Sequence, residues 1–129
     1  RHRDRMLAAL DGIPEGTPAR VTALGREYVN FAMQENGVFR LKFGGFTDRL
    51  EDARLQGAGE QTFNILLREV AACLGETEIT EDVRRRGFML WSFVHGLSFL
   101  LVDKKLSAMG GAVEREALLS DIAERVLKD

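Results

Sequence analysis

Cysteine is almost missing from this chain. Cys73 stands alone, which excludes an internal disulfide and suits a reducing compartment such as the cytoplasm. Histidine is nearly as scarce: with only His2 and His95, a Cys/His metal centre is not expected, and no cofactor is implied. Neither sign of charge is in excess. The 18 lysines and arginines stand against 20 aspartates and glutamates, for a net charge of −2, so nothing drives this segment electrostatically onto nucleic acid. No secretory leader is seen. The longest apolar run is too short and too interrupted to span a membrane, which takes about 20 apolar residues. A phosphate-cradling loop is missing too, because Gly57-Ala58-Gly59 has neither the lysine nor the preceding strand.

What is present is organised around that run, Gly87 to Val102, GFMLWSFVHGLSFLLV, which no proline interrupts. At 3.6 residues per turn Leu90, Trp91, Val94, Leu97, Ser98 and Leu101 share one side, and Met89, Phe93, Gly96 and Leu100 fall nearly opposite. A helix apolar around most of its circumference must be covered by more than one neighbour. One side therefore belongs to its own core, and the other points toward a second subunit.

The remaining segments read as helices around it. The chain opens charged and then apolar, as if part-way through a helix, and Gly12 and Pro14 stop that helix after Met6, Leu7 and Leu10. Thr17-Pro18 reads as an N-cap with proline at the first helical position. From there Val21, Leu24, Tyr28, Phe31 and Ala32 carry a helix to about Glu35, ended by Asn36-Gly37. Val38 to Phe43 is taken as a short helix, since its alternation has no partner strand. Gly44-Gly45 and the polar run Thr47 to Gly59 read as a connection with at most a helical turn at Leu50 to Leu55. The apolar stripe Phe63, Leu66, Leu67, Val70, Ala71 and Leu74 predicts a helix closed by Gly75. Thr80 caps the central helix, with Glu81 and Asp82 in its first turn. After Gly110-Gly111 a last helix runs from about Val113 to Lys128. The expected fold is all-α, a single-domain bundle of five or six helices.

Few residues point to chemistry. Glu114 and Glu116 lie among arginines on an amphipathic helix and read as solvated surface, and Cys73 reads as a structural thiol. With no acid–base pair in sight, an enzyme is not expected. His95 shares a flank with Trp91 and Phe99, one turn away on either side. It is either a polar handle for a ligand in an apolar pocket or a core histidine bonded to a neighbour. Gly96 costs about 1 kcal/mol relative to alanine in mid-helix. It serves either a close helix crossing, which Ser92 would extend, or relief of crowding from Trp91 or Phe99 within the subunit.

Trp91, His95 and Gly96, in MLWSFVHGLSFLLVD, resemble the Trp-x-x-x-His-Gly signature of the C-terminal domain of TetR-family transcriptional regulators of the WHG type. The earlier stretch REYVNFAMQENGVFRLKFG is similar to the same domain, with Gly37 where proline is common. The resemblance implies a cytoplasmic, ligand-responsive regulator, most often a repressor. All 129 residues would then form the effector-binding and dimerisation domain. Residues 1–11 would be the end of a connecting helix, and the DNA-binding helix-turn-helix would lie outside this chain. It implies a homodimer in which the last two long helices of each copy form a four-helix bundle, a small apolar or amphipathic effector, and operator DNA reached only through the other domain. The pocket residues expected on that basis are Tyr28, Phe31, Phe43, Phe63, Leu67, Trp91 and His95. The helical wheel assigns Met89, Ser92, Phe93, Gly96, Leu100, Leu118, Leu119, Ile122 and Val126 to the dimer interface. The alternative is a ligand-free helical dimerisation module, favoured if the pocket is too small for a ligand or filled by the aromatics.

Overall fold

The structure, a computed structural model, describes residues 2–35, 49–102 and 114–128; for 49–60 and 102 it describes the backbone alone. The turn at Asn36-Gly37, the short helix expected over Val38 to Phe43, and the glycine pairs at 44–45 and 110–111 lie outside those residues. The described residues form five helices and no strand: α1 (His2–Ala8), α2 (Pro18–Gln34), α3 (Arg49–Cys73), α4 (Glu81–Val102) and α5 (Arg115–Leu127).

Local chemistry sets most of the boundaries. Gly12 takes φ +81° just after α1. Thr17 occupies the N-cap position of α2 with Pro18 at the first turn, but its side chain does not cap the helix. Its hydroxyl instead turns back and donates to the Pro14 carbonyl at 2.7 Å, so the residue stabilises the entering turn. Thr80 does act as expected, its Oγ1 accepting from the Val83 N–H at 3.1 Å. At the end of α3, Gly75 adopts φ +73°. The Glu76 N–H reaches back to the Ala71 carbonyl at 2.9 Å, closing the helix with a left-handed glycine.

One expectation is overturned. Most of the polar run from Thr47 to Gly59 is helix: α3 begins at Arg49 and continues unbroken to Cys73. The segment RLEDARLQGAGE contains no proline and is mostly Leu, Ala, Glu, Gln and Arg, all good helix formers. Polarity was a misleading guide there, because two glycines weaken a helix without stopping it.

Around α4 the other helices close in. Val83, Gly87, Leu90, Val94, Leu97 and Ser98 are its buried positions. They meet Val21, Leu24, Tyr28, Phe31 and Ala32 of α2, Leu66, Leu67 and Val70 of α3, and Leu119, Ala123 and Val126 of α5. Two close approaches depend on missing side chains. A methyl group on Gly87 would stand 2.5 Å from Leu67 Cδ2, and one on Gly25 would stand 3.1 Å from Leu119 Cδ2 and 3.3 Å from Val94 Cγ2. Leu67 therefore fills the groove that Gly87 opens between α3 and α4. Polar ties fix the same layers. Arg20 grips both carboxylate oxygens of Glu69 at 2.6 and 3.0 Å and donates to the Ile13 carbonyl at 2.8 Å, joining α2, α3 and the loop after α1. Arg26 pairs with Glu116, joining α2 to α5. Arg86, held by Asp82 at 3.1 Å, donates to the Val126 carbonyl at 2.8 Å, giving the end of α5 a partner for one of its orphan carbonyls.

Candidate functional site

The flank of α4 that carries Trp91, His95 and Phe99 at four-residue spacing faces an aromatic cluster assembled from four helices. Trp91 meets Tyr28 of α2 edge-on at 5.1 Å between ring centroids and Phe63 of α3 edge-on at 5.6 Å. His95 lies 5.0 Å from Phe99 and 6.5 Å from Trp91. Phe31 of α2 is buried beneath His2 of α1, which stacks on it at 4.1 Å. The structure thus brings Tyr28, Phe31, Phe63, Trp91 and His95 together. Phe43 lies outside the described residues. Leu67 is buried under Gly87 more than it is open to a ligand.

The chemistry of the cluster is set by one hydrogen bond. Tyr28 Oη and His95 Nδ1 are 2.9 Å apart, so of the two roles open to His95 it has an internal partner. Burial raises the Tyr28 hydroxyl far above the ordinary tyrosine range, which leaves it a neutral phenol. Burial also lowers His95 from its ordinary value of 6.5. A neutral imidazole with its proton on Nε2 accepts the Tyr28 O–H at Nδ1; the other tautomer donates instead. The hydrogen-bond partner that fixes His95 here is a phenol. Among the described residues, no three His, Cys, Asp or Glu side chains gather as metal ligands.

The lowered histidine has a consequence for stability. Folding disfavours its protonated form, so its contribution is complete above the ordinary value of 6.5 and is lost as pH falls through that value toward the lower folded one. The urea midpoint should therefore fall between about pH 7 and about pH 5, and the fall should shrink in His95→Gln. An identical pH dependence in the variant would contradict the assignment.

Beneath Tyr28 and Trp91 the interior is nearly full. The cavity they share with Met6, Leu24, Val94 and Ile122 holds about 30 Å³, room for water and far below the ~300–1,000 Å³ of ligand pockets.

The opposite flank of α4 is a different surface. Met89 is 51% exposed, Ser92 and Gly96 are exposed, and Phe93 and Leu100 are half-buried; Phe88, 63% exposed, stands seven residues before His95 and so on the His95 side of the helix. Among the described residues, no atom would come within 4 Å of a methyl group on Gly96. Of the two roles open to Gly96, relief of crowding from Trp91 or Phe99 is therefore not the one the described residues favour. On α5 Leu118 and Ile122 are half-buried. Leu119 at 3% and Val126 at 8% are buried in the subunit's own core, which corrects their assignment to the interface: α5 turns its apolar stripe toward α2 and α4. His2 sits in a charged opening with no apolar repeat to point to a site, and only the tertiary fold brings it to Phe31.

A family model described as the tetracyclin repressor-like, C-terminal domain matches residues 21–126, which takes in Tyr28, all of α4 and most of α5. No curated protein and no solved structure matches the chain.

Proposed function

Since the chain belongs to the tetracyclin repressor-like C-terminal domain family, we propose that it is the sensing and dimerising part of a ligand-responsive transcriptional repressor of the cytoplasm. The family is one of regulators, whose domains of this kind typically dimerise and take small-molecule effectors. None of the described helices is long and apolar enough to cross a membrane. The observation that carries the reading is the division of α4 into two flanks. One holds Trp91 and His95 in an aromatic cluster shared with α1, α2 and α3; the other leaves Met89, Ser92 and Gly96 exposed. A small apolar or amphipathic effector would enter at the cluster, with the Tyr28–His95 pair as its polar handle. A second copy would cover the other flank.

The mechanism is a population shift. His2 ties α1 to the cluster through Phe31 and lies 6.1 Å from Tyr28. An effector that reorders these rings changes the seat of α1 and biases the dimer between geometries that fit and misfit adjacent major grooves of operator DNA. Operator DNA would be read by a helix-turn-helix domain outside this chain. A coupling of about 1–3 kcal/mol is the usual scale.

The water-sized cavity favours one alternative, a dimerisation module that binds no ligand. The only tryptophan, Trp91, separates the two. Titrating a panel of amphipathic compounds should give, for at least one class, a saturable change in Trp91 emission that weakens by about tenfold in His95→Ala, as expected for loss of a buried hydrogen-bonding handle. Emission that no compound changes, with the dimer intact, would leave the ligand-free module.

A further inference from the structure

Away from the aromatic cluster, α1 and α3 enclose a cleft of about 260 Å³ lined by Arg3, Gln61, Asn64, Ile65 and Arg68. Gln61, Asn64 and Arg68 are spaced three and four residues apart, so they stand in one row along α3. Ile65 is buried and forms an apolar floor. Arg3 forms the facing wall from α1. Among the described residues no carboxylate lines the cleft.

The arginines here differ from most of the others. Arg5, Arg20, Arg26, Arg85 and Arg86 each have a carboxylate partner. Among the described residues Arg68 makes no ion pair or hydrogen bond through its side chain. Arg3 reaches only its neighbour Asp4, at 3.9 Å, with both side chains largely exposed, a contact worth little. A second cleft, of about 290 Å³, shares Asn64 and adds Arg84 beside Phe63 and Leu67; Arg84 is likewise without an ion pair among the described residues. A chain of net charge −2 thus gathers around one amide, among the described residues, two guanidinium groups without an ion pair and a third held only by a long, exposed one.

We infer that the α1–α3 cleft is an anion site, taking a phosphate or phosphomonoester group between Arg3 and Arg68 with Gln61 and Asn64 as neutral donors. Guanidinium forks match the oxygens of such a group, and two cations suit a dianion better than a single carboxylate. The cleft is too small for a drug-sized ligand. It is also too concave, and the chain too acidic, for a run of nucleic-acid backbone, which calls for an extended basic face. Because Arg3 follows His2 in α1, an anion bound there holds α1 against α3 and steadies the ring stacked on Phe31. The inference does not depend on the regulator reading.

Calorimetric titration of the whole chain tests it, at low ionic strength, with inorganic phosphate and with phenyl phosphate. One anion should bind per chain, saturably. Arg3→Gln and Arg68→Gln should each weaken binding by about tenfold or more, while Arg125→Gln, an exposed arginine on α5, should leave it within about twofold. Circular dichroism establishes that each variant is folded, and Arg68→Lys, which keeps the charge, should recover part of the affinity. Equal affinity in Arg68→Gln and Arg125→Gln would overturn the site and leave non-specific attraction. So would a short DNA duplex bound through Arg68 when neither phosphate compound binds, which would reassign these arginines to a backbone contact.

Discussion

Trp91→Ala should lower the stability of the domain by about 3 kcal/mol, the low end for truncating a large aromatic core residue. The low end applies because the indole is half-buried. Its position is nevertheless pivotal. It is the one aromatic of α4 that packs against both apolar clusters of the subunit, and its ring touches Tyr28 from α2 and Phe63 from α3. Losing it opens a void between three helices that cannot all move in to fill it. Urea unfolding followed by far-ultraviolet circular dichroism measures the loss. A change under about 1 kcal/mol would place the indole at the edge of an open pocket and not in the packing.

A loss of similar size is expected for Arg20→Met. The pair with Glu69 is bidentate, and only 15% and 13% of the two side chains remain exposed. Removing the guanidinium strands a carboxylate in a poorly solvated place and frees the Ile13 carbonyl as well. Breaking a buried pair from one side costs about 3–5 kcal/mol, and the residual exposure puts this case at about 3. The double variant Arg20→Met with Glu69→Met should be the more stable of the two, since it leaves no orphan charge. If the double variant were less stable than Arg20→Met alone, the cost would come from packing and the ion pair would not be what ties α2 to α3.

What could be read before the structure was whatever depends on near neighbours. The stripe Phe63 to Leu74, the Gly75 stop and the Thr80 cap each rest on residues within a turn or two, and the helices stand there. The two flanks of α4 were legible for the same reason, because 3.6-residue periodicity separates Trp91 and His95 from Met89 and Gly96. Tertiary choices were not legible. Leu119 and Val126 make an apolar stripe on α5 that would suit a partner or the subunit's own core equally well. Only the position of Gly25, which admits Leu119 Cδ2 to α2, decides for the core. The Tyr28–His95 bond spans 67 residues, and nothing local to either residue announces the other. The beginning of α3 was missed through over-reading polarity, where helix propensity was the better guide.

The covering of α4's outer flank by a second copy is the claim on which the rest turns. Met89 is large, apolar and more than half exposed, on the same side as Gly96, where no described atom would come within 4 Å of an added methyl group. An isolated exposed methionine is ordinary, but Met89 with half-buried Phe93 and Leu100 on the same side of a central helix calls for a partner. Sedimentation equilibrium of the unaltered chain beside Met89→Asp/Gly96→Asp tests this most directly, because Met89 is more than half exposed and an added group at Gly96 meets no described atom within 4 Å. The unaltered chain should sediment as a dimer of the 14.4 kDa protomer, and the double variant as a folded monomer. A monomer in both, or a dimer unmoved by the two aspartates, would contradict it.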